Sequence, residues 1–107
     1  MKTRREKILE MLRDDPNDVF LRYSLALEME QAGESGPSLE ILATLSAGDP
    51  PYVPAFHMAA RQLVSRGRFE EARTVLRDGI EQARRQGNAH AAGEMAELLA
   101  SIGDAGE

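Results

Sequence analysis

The chain repeats itself at an interval of 34 residues. Pro16 returns as Pro50, Ala26 as Ala60, Gly33 as Gly67 and Leu42 as Leu76, all in one register. A fixed period of this length is that of two short helices joined by a tight turn, a unit that cannot bury its apolar faces alone and stacks on its neighbours to do so. The small residues have a packing reason within such a unit. Ala26 and Ala60 fall where two helices approach closely, and Ala72 falls opposite Ser38 in the register, again small. Glycine past a helix end takes the left-handed conformation cheaply, so Gly33 and Gly67 are the turns inside the pairs. Pro16 and Pro50 end the pairs, because the residue before proline is pushed out of the helical region.

Helical spacing accounts for the rest of the chain. Residues 3–13 set Ile8, Leu9, Met11 and Leu12 on one side, and Asp15-Pro16 stops them. Asn17 or Asp18 can cap a second helix carrying Phe20, Leu21, Leu25, Ala26 and Met29. Ser35 is the expected N-cap of a third, with Pro37 tolerated in its first turn. A fourth starts near Val53 or Pro54 and runs to Gly67. The fifth, with Phe69, Ala72, Val75, Leu76, Gly79, Ile80 and Ala83, has the clearest single buried face. A sixth covers about Ala89 to Ile102. Period-2 alternation is absent, so no strand is expected.

Bulk properties narrow the function. There are 107 residues, a net charge of −5 and no cysteine, so thiolate chemistry and disulfides are excluded. A nucleic-acid partner would favour a basic excess; only Lys2, Arg4, Arg5 and Lys7 form a basic group, readable as a solvated helix face or as a docking point. No apolar run approaches the ~20 residues of a membrane span, and the start lacks the apolar stretch of a secretory signal. A cytoplasmic location is the expectation. No phosphate-binding glycine loop occurs. His57 and His90 have no further histidine or cysteine beside them to complete a metal site. His90 and Glu94 make at most a two-ligand edge. The chain is therefore expected to be no enzyme, with no catalytic residue, metal or cofactor.

The segment Phe56, Ala59, Ala60, Leu63, Gly67, Phe69, Ala72, Leu76, Gly79 resembles a tetratricopeptide repeat, with Ala59-Ala60 where that family has Leu-Gly and Gly79 where it has alanine. The earlier copy, Arg22, Leu25, Ala26, Met29, Gly33, Ser38, Leu42, Leu45, Pro50, resembles it too, with Arg22 at an aromatic position and Ser35 at the second. The resemblance implies an all-α fold: a right-handed alpha-alpha superhelix, or solenoid, of about six antiparallel helices in a single domain over 1–107. Residues 2–14 would be a leading half-repeat helix, 17–50 the first repeat, 51–86 the second, 88–103 a capping helix displaced by two residues, and 104–107 a frayed tail.

The same resemblance implies a non-catalytic interaction module that binds a protein or peptide partner along its first helices. Carried over by register, the groove residues are Phe20, Tyr23, Leu27, Glu30 and Gln31, then His57, Arg61, Val64 and Ser65, then His90 and Glu97 from the cap. Alternatives stand beside these assignments. Tyr23 can be a core-edge aromatic on the leading helix, and Phe20 a core residue. His57 and Arg61, four apart on one helix face, can receive a partner carboxylate or pair with Glu30. The Lys and Asn with which some members grip a terminal carboxylate are replaced by Tyr23 and Leu27. Neither nucleic acid nor membrane is expected as a partner. Self-association into a homo-oligomer or larger assembly is the competing function, because the end helices of a short array leave apolar surface uncovered.

Overall fold

The computed structural model describes residues 1–103 and contains six helices: α1 (Arg4–Asp14), α2 (Val19–Gln31), α3 (Ser35–Ser46), α4 (Val53–Ser65), α5 (Phe69–Arg85) and α6 (Ala89–Ile102). No strand occurs among the described residues. The tail expected over 104–107 lies outside them. Each helix packs on the next in chain order, and α4 also touches α6.

The helix ends follow from local chemistry. Thr3 opens α1 with a reciprocal box: the Glu6 N–H donates to Thr3 Oγ1 and the Thr3 N–H to Glu6 Oε1, both at 3.1 Å. Asp18, rather than Asn17, caps α2, accepting from the Leu21 N–H at 2.8 Å. Asn88 does the same for α6 through the Ala91 N–H at 3.1 Å. Ser35 does not act as the cap of α3. It is the first helical residue, after Glu34, which has no side-chain capping bond. The cause is the preceding turn.

That turn occurs three times. Gly33, Gly67 and Gly87 have φ of 82°, 73° and 74°. After each glycine the next N–H reaches back to the third-last helical carbonyl: Glu34 to Met29 at 2.8 Å, Arg68 to Leu63 at 2.9 Å, Asn88 to Ala83 at 2.8 Å. The glycine N–H itself reaches the second-last carbonyl at 3.0 or 3.1 Å. This double closure satisfies carbonyls that a helix end leaves open, and it leads the chain straight into the next helix. Gly33 and Gly67 share the 34-residue period; Gly87 does not, yet makes the same turn.

The two-residue displacement before α6 has a plain origin. Helix α5 has 17 residues against 12 in α3, while the connection before α6 is three residues shorter than the one before α4.

Two apolar clusters share α4. One unites Ala26, Leu42, Leu45, Ala55 and Ala59 from α2, α3 and α4; the other unites Phe56, Ala60, Leu63, Leu76, Ile80, Met95 and their neighbours from α4, α5 and α6. Ala26 and Ala60, and Leu42 and Leu76, are completely buried in both copies. The copies differ in one size exchange. In the second, Phe56 fits against Gly79, where an added Cβ would lie 2.6 Å from Phe56 Cβ. The register counterparts in the first are Arg22 and Leu45, so the bulk sits on the other helix. Arg22 turns outward and donates to Thr44 Oγ1 at 2.6 Å. A buried polar tie replaces alanine chemistry at Ser38: its hydroxyl donates to the Ala26 carbonyl at 2.6 Å and accepts from Gln62 Nε2 at 3.2 Å. One hydrogen-bonded line thus joins α2, α3 and α4.

Candidate functional site

Helices α2, α4 and α6 each bring side chains to one neighbourhood. Tyr23 of α2 is half-buried, packed on the cluster around Ala26 and Leu42. Its ring meets Tyr52, at the start of α4, edge to face with centroids 5.4 Å apart. Tyr23 is therefore a core-edge aromatic held by the next pair. Burial chiefly, and Tyr52 second, raise the Tyr23 hydroxyl pKa, while Arg61 of α4 opposes the shift. His57 stands one turn before Arg61. Burial pushes its pKa down, the Arg61 charge adds to that, and Glu94 of α6 pulls the other way. Arg61 thus lies within electrostatic reach of Tyr23 and His57, and His57 within reach of Glu94, a chain of neighbours across three helices.

The remaining residues that the resemblance assigns to a groove divide. Phe20 is 67% exposed, so the core alternative for it does not hold. Leu27 is half-buried. Val64 is half-buried and packs inward on the α4–α5–α6 cluster. Glu30 pairs with Arg66 at 3.0 Å, which replaces the pairing with His57 or Arg61 weighed from the sequence; its other oxygen is buried without a hydrogen bond. Gln31 is exposed, and Ser65 is occupied, donating to the Gln62 carbonyl at 2.8 Å. His90 pairs with Glu94 at 3.0 Å on the exposed side of α6. Glu97, one turn on, is exposed.

Tyr52 and Glu94 are the members that sequence reasoning missed. Tyr52 lies outside the helices that the period defines, although an aromatic next to a helix start is a visible signal. Glu94 was visible only as the i+4 neighbour of His90.

The basic N-terminal group is mostly neutralised within the chain. Lys2 pairs with Glu10, Arg4 with Glu28 at 2.8 Å and Arg5 with Glu34 at 2.5 Å. The last two tie α1 to the α2–α3 pair. Among the described residues no group of three or more His, Cys, Asp or Glu is placed to hold a metal, and no helix is long and apolar enough to cross a membrane.

Another side of α4 carries a cleft of about 390 Å³. Phe56, Ala59 and Leu63 floor it, and Leu39 of α3 and Val75 of α5 wall it. Its charged lining is largely self-satisfied, because Arg68 grips Glu71 through two bonds of 2.9 and 2.8 Å.

No known protein family, curated protein or solved structure matches the chain.

Proposed function

We propose that the chain is a short tetratricopeptide-type array, a right-handed superhelix of helix pairs, that binds a protein segment along α2, α4 and α6 without catalysing a reaction. The observation that carries this reading is one construction used twice at the same spacing. The glycine closures at Gly33 and Gly67, the buried alanines Ala26 and Ala60 and the buried leucines Leu42 and Leu76 all stand 34 residues apart. Stacked pairs of this kind turn their first helices toward a common face. That face carries what protein recognition uses: an exposed aromatic in Phe20, a rigid half-buried aromatic in Tyr23 and an arginine in Arg61.

The test is affinity capture from a native lysate with the chain and with its Tyr23→Ala/Arg61→Ala variant, both first shown to be folded by circular dichroism. Loss of the captured partner in the variant is expected. Capture that is unchanged sinks the assignment of this face.

Self-association is a second reading with its own support. Leu9 and Met11 of α1 are 42% and 48% exposed, and at the other end Ile80, Ala96 and Leu99 line an open cleft between α5 and α6. Light scattering over a concentration series decides it, since a strict monomer at the highest concentration removes the reading.

A further inference from the structure

Most arginines of this acidic chain are compensated internally. Arg4, Arg5, Arg66, Arg68, Arg73 and Arg85 each meet a carboxylate. Arg13, Arg61, Arg77 and Arg84 are exposed and make no ion pair or hydrogen bond among the described residues, and of these four Arg61 is the one carried by α2, α4 or α6, in the middle helix of that face. Glu97 on the neighbouring helix is likewise exposed and unpaired. Glu94, about one turn earlier on α6, is taken by His90. An open cation and an open anion therefore lie on adjacent helices without pairing with each other. On the other side of Arg61, the 34-residue register sets Leu27 of α2 level with it, and the two-residue displacement sets Glu97 level on α6. Phe20 extends the apolar character of α2.

We infer that this face reads an extended protein segment that presents, from the α2 side to the α6 side, an apolar residue, then an acidic one, then a basic one, about three residues apart. The inference rests on the array reading above. The spacing follows from two lengths. Packed helix axes lie about 8–10 Å apart, and an extended chain advances about 3.3 Å per residue, so successive anchors on a segment crossing the helices fall about every third residue. The chemistry follows from complementarity. A guanidinium offers a carboxylate a two-pronged set of donors, and charge order across an interface selects a partner and suppresses its reverse. An all-acidic segment would meet Glu97, and an all-basic one would meet Arg61.

The experiment is selection of a displayed random 12-residue peptide library on the immobilised full chain, repeated on Arg61→Glu and Glu97→Lys. Both sites are exposed, and circular dichroism checks that the variants fold. The expected result is enrichment of an apolar–acidic–basic pattern at three-residue intervals, in one chain direction. Arg61→Glu should exchange the central acidic residue for a basic one and weaken the original peptides about tenfold. Glu97→Lys should exchange the outer basic residue for an acidic one. Peptides that lose binding in Phe20→Ala and Tyr23→Ala but show no charge order, or keep the same order in the charge-exchanged variants, overturn this inference and leave the binding face standing. Failure to enrich any peptide, or peptides indifferent to every substitution on the face, overturns both.

Discussion

Gly79→Ala and Gly93→Ala make the same change in two helix interiors and should move stability in opposite directions. Replacing a mid-helix glycine by alanine removes a propensity penalty of about 1 kcal/mol. At Gly93 in α6 nothing lies within 4 Å of the added Cβ, so that gain should appear nearly whole. At Gly79 in α5 the added Cβ would stand 2.6 Å from Phe56 Cβ and 2.7 Å from Met95 Sδ. Met95 can swing its thioether, but Phe56 Cβ is tied to the α4 backbone, so α4 and α5 must separate. Overpacking of a filled core typically costs about 1–3 kcal/mol, and the rigid contact argues for the upper part of that range. Net of propensity, Gly79→Ala should lose about 1–2 kcal/mol. For a chain of this size each kcal/mol moves Tm by about 4–8 °C. Thermal melts followed by circular dichroism, with urea titrations to verify an unchanged slope, measure both variants. A Gly79→Ala protein as stable as Gly93→Ala would refute the close approach of α4, α5 and α6 on which the second pair is built.

Three further outcomes follow from the same geometry. Ser38→Ala removes the donor to the Ala26 carbonyl and the acceptor of Gln62 Nε2, and an unsatisfied buried polar group costs about 1–3 kcal/mol; urea denaturation should show that loss, and Gln62→Leu should be less damaging in the Ser38→Ala background than in the unaltered chain. Alanine at Gly33, Gly67 or Gly87 forces an L side chain into left-handed backbone, at about 1–2 kcal/mol each; a costless Gly87→Ala would mean that the third turn differs from the other two. His57 should titrate below its ordinary value of 6.5 because of burial and Arg61. Between the lowered value and 6.5 the unfolded chain binds more protons than the folded one, so stability present above that window declines as pH falls through it. A histidine side-chain NMR titration, with His57→Gln expected to flatten the stability slope there, checks this.

Much of the chain was legible as sequence because its punctuation is local. Gly33, Gly67, Pro16 and Pro50 act through their own φ angles or missing N–H groups, and the apolar rhythm of α5 needs no partner to be recognised. The features that escaped are set between elements. Ser35 looks like a cap in isolation, but the Gly33 closure fixes where α3 begins. Glu30 looks free for His57 or Arg61 until folding brings Arg66 beside it. The departure of Arg22 and Gly79 from an aromatic–small pattern is visible in the chain, yet its reason, bulk exchanged between paired helices, appears only in packing. Phe20 reads as core by type and is exposed, as the second residue of α2. Tyr52 joins the candidate face through its ring contact with Tyr23, and Glu94 through its charge acting on His57, and both relations run between helices, which a period cannot express.

The central claim is that α2, α4 and α6 together form the binding face. Amide chemical-shift mapping of the isotope-labelled chain, titrated with a peptide enriched on it, tests this most directly. The account predicts perturbations gathered at Phe20, Tyr23, Leu27, His57, Arg61 and Glu97. Perturbations gathered instead around Leu39, Leu63 and Val75, in the cleft between α3 and α5, would contradict it.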